Sequence, residues 1–417
     1  MSNEAVDKII HAKIRLEHDI RNAQATNTHV IAVFLDLTAA FDKLWNTGAL
    51  LYFKKIGIKG RLLYWLTDFL KSRKIKVKYA GETTQIEETI NGCPQGSVLS
   101  PIIFSLVMNT LKHAIDEHND SIHNLHKINL SQFVDDGAIW TTTKKYINKG
   151  ILSIQSALRT IEKWSEEFGF KINPTKTQVI IFRDKNSKLD EFNPKFPSLS
   201  LCGKKLKYAD NAKFLGMTFD SKLKWDKHIN ELIKRCDKDI NLLKCIKGQD
   251  WGCNKISLMT IYKGLIKSKL NYGSIIYNTA SDYLLNKLQK LSNRALRIVT
   301  GCPKWSRATP LIIECAEIPL NLEREINMLK YWARSIRLND QLPINKHIGD
   351  NLNLICRIQR NKKHIKLPYA NKVHQLTKKY GLSSDDLAKP SYKSLSGMSA
   401  PKVDTSLTNK INKKRPV

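Results

Sequence analysis

Apolar residues recur along this chain with two periods, and the places where the period changes divide it into parts. Between residues 4 and 24, Ile9, Ile10, Ile14, Leu16 and Ile20 recur among charges at helical spacing, which predicts an amphipathic helix. Val30 to Leu35 is a continuous apolar run of strand length, the mark of a central strand buried on both faces. It closes on a carboxylate, Asp36, after which small residues turn the chain away. Leu50 to Lys71 reads as two helices broken near Gly57 to Gly60. The second has Leu62, Leu63, Trp65, Leu66, Phe69 and Leu70 as its expected buried face. Ile75 to Tyr79 alternates like a half-buried strand, Gly81 turns it, and Gln85 to Ile90 returns. Asn91 to Pro101 is rich in Gly and Pro and opens a helix over 102–115. Such a loop lets backbone come close to a ligand, and the helix N-terminus favours anions.

A second acidic stretch follows at Phe133 to Trp140. Asp135 and Asp136 stand there between two short apolar runs, and Asp-Asp-Gly reads as the tight turn of a hairpin. Ile154, Leu158, Ile161, Trp164 and Phe168 predict a helix over 151–168, stopped by Gly169. Lys171 to Thr177 reads as a turn, Gln178 to Phe182 as a strand, and 183–198 as a surface loop. Short strands follow around Leu199 to Leu201, Lys205 to Tyr208 and Phe214 to Phe219. From Trp225 the pattern is helical only, with stripes led by Ile229, Leu258 and Leu284, and a further basic helix over 322–338. These stripes predict a separate helical domain whose basic faces could follow a phosphate backbone. Beyond about 345 the chain is rich in Asn and Lys and loses its period, so a weakly ordered basic tail is expected, ending at Lys413, Lys414 and Arg415. The breaks divide the chain at 1–29, 30–222, 223–345 and 346–417.

Charge changes this picture most. Lys plus Arg number 69 against 38 Asp plus Glu, a formal +31 over 417 residues. A chain so basic repels itself unless a polyanion neutralises it, which makes nucleic acid the leading partner. The eight cysteines form no C-x-x-C pair, so neither a zinc site nor a disulfide framework is read, and reduced thiols in an intracellular protein fit best. His113, His118, His123 and His126 are expected in a solvated loop. No apolar run approaches the length of a membrane span.

Three carboxylates, Asp36, Asp135 and Asp136, each cap a strand-like apolar run. A negative group at the end of a buried strand is costly unless cations or donors meet it. A βαβ-like core would bring these ends to one rim, and such a cluster invites oxygen-ligated divalent cations, Mg²⁺ first. Two such ions about 4 Å apart stabilise both the attacking and the leaving oxygen in phosphoryl transfer.

Phe133-Val134-Asp135-Asp136 resembles the aromatic-x-Asp-Asp box of reverse transcriptases. Phe34 to Asp42 resembles their first aspartate motif, in the form carried by LINE-type (non-LTR) retrotransposons. Gly92-Cys93-Pro94-Gln95-Gly96 through Pro101 is similar to their Pro-Gln-Gly motif, while Asn173 to Thr177 and Phe214-Leu215-Gly216 fall where later palm motifs fall. The resemblance covers roughly residues 5 to 340 and is similar to the jockey and I-type elements near Gly301-Cys302-Pro303 and Pro319-Leu320.

The resemblance implies an α+β fold: a right-hand polymerase palm, an antiparallel sheet with packed helices over 30–222, then an all-α thumb over 223–345. Residues 1–29 would be an edge of fingers and palm, in a member lacking the fingers N-terminus and the endonuclease. By position, Asp36 and Asp135 would bind metal with the Leu37 carbonyl, and Asp136 would support them and the primer end. Phe41 would gate the sugar, Gln95 and Gly96 would line the nucleotide pocket, and Lys176 would protonate the leaving pyrophosphate. Phe214, Leu215 and Gly216 would form the primer grip. The implied cofactor is a pair of Mg²⁺ ions, with Mn²⁺ as a substitute. The implied partners are an RNA template, a DNA primer or target and deoxynucleoside triphosphates, in the nucleus or cytoplasm, with no membrane. A second reading is a truncated retroelement remnant that only binds nucleic acid; an RNA-templated RNA polymerase is a distant third, disfavoured by Ala40-Phe41.

Overall fold

The computed structural model of the chain describes residues 3–71, 73–122, 126–144, 147–183, 196–248, 251–338 and 366–383. Most of the expected surface loop at 183–198, His123 and the end of the basic tail lie outside the described residues. The apolar run after residue 29 forms the middle of a five-stranded sheet. β1 (His29–Asp36) pairs antiparallel on one side with a strand from the second acidic stretch. That stretch forms β2 (Asn129–Phe133) and β3 (Asp136–Thr143), a hairpin. On its other side β1 pairs antiparallel with β4 (Gln178–Phe182), and β5 (Lys207–Tyr208) extends the sheet in the parallel sense. The spatial order is β5-β4-β1-β3-β2. The expected βαβ-like core is therefore corrected: β1 and β3 run antiparallel, and it is this antiparallel register that joins the end of one to the start of the other.

Alternate residues of β1 enter two separate apolar clusters. Ile31, Val33 and Leu35 pack with three helices on one face, α2 (Asn46–Lys55), α4 (Ser100–Ser121) and α5 (Ile147–Glu167); α3 (Gly60–Leu70) borders this side. Val30, Ala32 and Phe34 pack on the opposite face with α1 (Asn3–Ala25) and the later helices. A strand covered on both sides has no use for a polar residue until its end, which is why the run is unbroken up to Asp36.

α1 departs from the amphipathic pattern expected of it. Lys13, Glu17, His18 and Arg21 are buried along with its apolar residues. Arg21 explains how this is tolerated. Its guanidinium pairs with Glu17 at 3.4 Å and donates to Gln24 Oε1, the Leu223 carbonyl at 2.8 Å and Thr279 Oγ1 at 2.9 Å. Burial pushes the Glu17 carboxyl up to about 7, opposed by Arg21. The polar side of α1 is thus stitched to later parts of the chain.

A second hairpin, β6 (Asn211–Phe214) and β7 (Met217–Asp220), leads into the helical half. α6 (Asp226–Lys247) buries Ile229, Leu232, Cys236, Ile240 and Leu243 on the expected stripe. A helical run follows: α7 (Lys255–Ile261), a π-helical turn Tyr262–Lys267, and α8 (Ser268–Asn271). α9 (Ser274–Tyr277), α10 (Asp282–Thr300), α11 (Ala308–Glu314) and α12 (Leu320–Leu338) complete it. One continuous apolar cluster runs from the sheet face through α1 into α6, α10 and α12, so the helical half shares its core with the sheet.

Three local expectations are corrected. The apolar face of α3 is only partly covered: Leu66 and Leu70 are buried and Leu63 and Phe69 half-buried, whereas Leu62 is 55% and Trp65 47% exposed. The strands after it, Arg73–Ile75 with Glu87–Thr89 and Lys78–Tyr79 with Glu82–Thr83, stand out with Ile75, Val77, Tyr79, Ile86 and Ile90 exposed, not half-buried. His118 is no loop residue: it is buried on α4, 3.1 Å from Thr160 Oγ1. Within the described part of the tail, Tyr369–Tyr380 is helical. α13 (Tyr369–Tyr380) buries Tyr369, Ala370, Val373 and Leu376, with the Tyr369 hydroxyl donating to the Met328 carbonyl at 3.0 Å.

Candidate active site

Asp36 ends β1 and Asp136 begins β3, and the antiparallel register makes them direct partners across the two strands. Asp135 adjoins them. The turn of the β2–β3 hairpin is Val134–Asp135, not the Asp-Asp-Gly expected; Asp136 and Gly137 already belong to β3. Val134 sits at φ 58, at the first central position of a two-residue turn that usually takes glycine when φ is positive. For a β-branched residue this conformation costs on the order of 1–3 kcal/mol and persists only where the surroundings fix it. The turn thus holds Asp135 at the rim beside Asp36.

The neighbouring acids bear on Asp136. Asp136 is exposed at the rim, yet protein crowds its carboxyl. Lost hydration first, then the charges of Asp135 and Asp36, raise its pKa. Two groups oppose this: the backbone N–H of Leu215, which favours the charged carboxylate, and the ammonium of Lys13. Uncompensated negative charge of this kind suits a divalent cation. Among the described residues no three His, Cys, Asp or Glu side chains are grouped so as to hold a metal ion by themselves. Mg²⁺ does not need such a group, since it commonly binds through one or two carboxylates and completes its shell with substrate phosphates and water. The donor set at this rim fits that mode.

Leu37 follows Asp36 and forms a single antiparallel bridge to Ile172. The two hydrogen bonds of that bridge run from Thr38 N–H to the Lys171 carbonyl and from Asn173 N–H to the Asp36 carbonyl, each 2.8 Å, so the Leu37 carbonyl takes no part in it. The same bridge ties the Asn173–Thr177 turn to Asp36. Asn173 Oδ1 accepts from the Thr175 N–H at 3.1 Å and its hydroxyl at 2.6 Å, and the exposed Lys176 rides on this turn.

Phe41 lies on the far side of Asp36, its ring stacked on buried Phe104 with centroids 4.4 Å apart and planes 20° from parallel. The Gly-rich loop is bolted to the same segment. Gly92 N–H donates to the Leu44 carbonyl at 2.8 Å and Cys93 N–H to the Phe41 carbonyl at 2.9 Å. Gly92 is required there: its φ is 91°, and a Cβ would stand 2.7 Å from the Asp42 carbonyl oxygen. Gln95 is exposed, its amide donating to Asp42 Oδ1 at 2.9 Å, and Gly96 (φ 93°) has open space above it.

Phe214, Leu215 and Gly216 close the β6–β7 hairpin. Phe214 is buried against Phe34, centroids 5.6 Å apart, which seats this hairpin on the β1 end of the sheet. Asp36, Asp135, Asp136 and Leu215 are therefore brought together, with Phe41 and the 92–96 loop alongside. Residues the sequence reading did not single out are Lys13 and Tyr272. Lys13 looked like one charge on an amphipathic helix, and nothing in the local sequence marks Tyr272.

The family described as "Reverse transcriptase (RNA-dependent DNA polymerase)" matches residues 3–219. The RNA-directed DNA polymerase from mobile element jockey of Drosophila melanogaster is 27% identical over 293 residues, 68% of this chain and 30% of that protein. The probable RNA-directed DNA polymerase from transposon BS of the same species is 28% identical over 303 residues, 71% of this chain and 32% of that protein. The chain thus spans about a third of the length of these curated relatives. Among solved structures, apo telomerase from Candida Tropicalis aligns with a TM-score of 0.39 at 12% identity, over 86% of this chain and 57% of that one.

Proposed function

Since the chain belongs to the reverse transcriptase family, which matches residues 3–219 of its 417, we propose that it is an RNA-directed DNA polymerase of a non-LTR retrotransposon. It would add deoxynucleotides to a primer 3′-hydroxyl on an RNA template. The observation that carries this reading is the partnership of Asp36 with Asp136 across the strand ends, with Asp135 in the adjoining turn. Residues 30–222 are read as the palm and 223–345 as the thumb, with α13 as an appendage to the latter.

Asp36, Asp135 and the Leu37 carbonyl would hold two Mg²⁺ ions, with Asp136 in support. Those ions, when bound, supply a lowered hydroxyl pKa at the primer end and neutralise charge on the triphosphate. The chain's own residues do the rest. The stacked Phe41 would gate the sugar, excluding a 2′-hydroxyl by bulk. Gln95 and Gly96 border the nucleotide. Lys176, exposed on a turn tied to Asp36, is placed to hand a proton to departing pyrophosphate. Leu215 and Gly216 face the primer end. A net charge of +31 binds the template and primer with strong salt dependence, through released counterions.

Extension of oligo(dT) on poly(rA) with Mg²⁺, comparing wild type with Asp135→Ala, tests this reading. Incorporation should vanish in the variant. Equal incorporation by both proteins would remove Asp135 from the metal site.

A further inference from the structure

Leu215 is held in an unusual way. It and Gly216 form the two-residue turn between β6 and β7, and both have positive φ, 47° and 77°. The turn of that type favours Asn-Gly, and a leucine at its first position is strained. Leu215 is buried, so it is not there for exposure. What fixes it is a chain of polar contacts. Its carbonyl accepts the Tyr272 hydroxyl at 2.7 Å, and that hydroxyl accepts Lys13 Nζ at 3.0 Å. Lys13 lies wholly buried on α1, its ammonium 4.2 Å from the Tyr272 ring centroid. Gly216 lies against the same ring, where a Cβ would meet it at 3.3 Å. Tyr272 and Gly216 together border a cavity of about 260 Å³ lined further by His228, Arg235 and Lys269. The N–H of the same Leu215 lies close enough to the Asp136 carboxylate to stabilise its charge.

One residue therefore has its carbonyl bound from the helical half and its N–H beside an acid of the catalytic rim. We propose that Lys13 and Tyr272 are positioning residues, which lock the Leu215–Gly216 turn against Asp136 and so couple the placement of α8 to the geometry of the catalytic carboxylates. This rests on the polymerase reading above. A buried lysine is costly unless bonded, and here its bonds and its charge converge on a single turn beside the acids. Movement of the helical half on engaging template and primer would reach Asp136 through Tyr272. The primer end would be aligned only when that half is seated.

The test uses the full chain with Tyr272→Phe, which removes only the hydroxyl, and Lys13→Met, which removes the charge at similar volume. Tyr262→Phe is the control. It deletes a buried hydroxyl bond of 2.8 Å to Ser292 in the same helical half, with no link to Leu215. Hydrogen exchange of a peptide covering 211–220 and single-nucleotide extension are measured on each. Tyr272→Phe and Lys13→Met should speed exchange at Leu215 and Gly216 by about fivefold, the loss of one net hydrogen bond. They should lower kcat on the order of tenfold, as expected for a misplaced catalytic group, with the deoxynucleotide KM within about twofold. Tyr262→Phe should change neither. Unchanged turn exchange in Tyr272→Phe, or equal loosening in Tyr262→Phe, overturns the proposal, as does loosened exchange with wild-type kcat. Wild type that extends no primer, with the exchange contrast intact, counts against the polymerase reading and leaves the coupling of the turn supported.

Discussion

Phe41 can act as a gate only if its ring cannot swing aside, and the structure gives that task to Phe104. The two rings stack at 4.4 Å with Phe104 wholly buried, and Phe104 in turn meets Phe170 edge-on at 6.0 Å. Phe104→Leu keeps most of the volume and removes both ring pairings. An aromatic pair contributes about 0.5–1.5 kcal/mol beyond burial. Losing the Phe41 pairing should therefore lower the penalty for displacing the gate by about 1 kcal/mol, which is roughly a fivefold change in an equilibrium. The expected result is a ratio of ribonucleotide to deoxynucleotide insertion, as kcat/KM for rUTP over dTTP on poly(rA), raised about fivefold. Deoxynucleotide insertion itself should change little. Phe41→Ala, with the bulk removed outright, should raise the ratio further. Phe104→Leu that folds normally and discriminates like wild type would refute the claim that stacking holds the gate.

Other outcomes follow from the same structure. Gly92→Ala puts a Cβ 2.7 Å from the Asp42 carbonyl at a φ of 91°, so the loop must shift; extension should drop on the order of tenfold or more while filter binding of template and primer is kept. Arg21→Met strands Glu17 and three further acceptors in the core and should cost about 3–5 kcal/mol in chemical unfolding, and an unaltered midpoint would contradict the buried network. His228, buried at the start of α6 and accepting the Thr218 N–H at 3.3 Å, has its pKa lowered from 6.5 to about 4, by burial first and then by Arg235 and Lys13. Its neutral form is the folded one, so the unfolded chain takes up a proton first as pH falls. Stability should therefore be lost between pH 6.5 and 4, by about 3 kcal/mol through this group. Urea unfolding at pH 7 and 4.5 should show a smaller pH loss in His228→Gln, and equal losses would exclude the assignment.

The parts of this molecule that were legible in its sequence are those with a period or a sharp ending. β1 could be read because a strand covered on both faces stays apolar until it stops, and it stops on Asp36. α5 and α6 could be read because one face of each is regular. The site acids could be found because each interrupts an apolar run. What was not legible depends on partners distant in the chain. Lys13 is one lysine among 69 basic residues, and only the fold brings Tyr272 to it across 259 positions. The polar side of α1 looked solvent-facing because a helix pattern cannot say that Thr279 and Leu223 will cover Arg21. The opposite error befell α3, where apolar residues at helical spacing are left uncovered. α13 is different: Pro368 before it, Tyr369, Val373 and Leu376 along it and Gly381 after it were readable, but a polar background of Asn and Lys masked a short stripe.

The central claim is that Asp36, Asp135 and Asp136 form one catalytic rim on a nucleic-acid-binding chain. The most direct measurement is extension of a DNA primer on RNA by wild type, Asp36→Asn and Asp135→Asn, with the Kd for the same template and primer taken in parallel. Extension should be abolished in both variants with Kd within about threefold of wild type, since one lost phosphate contact among many changes binding little. Undiminished extension in either variant, or a wild type that binds the template and primer yet adds no nucleotide, would contradict it.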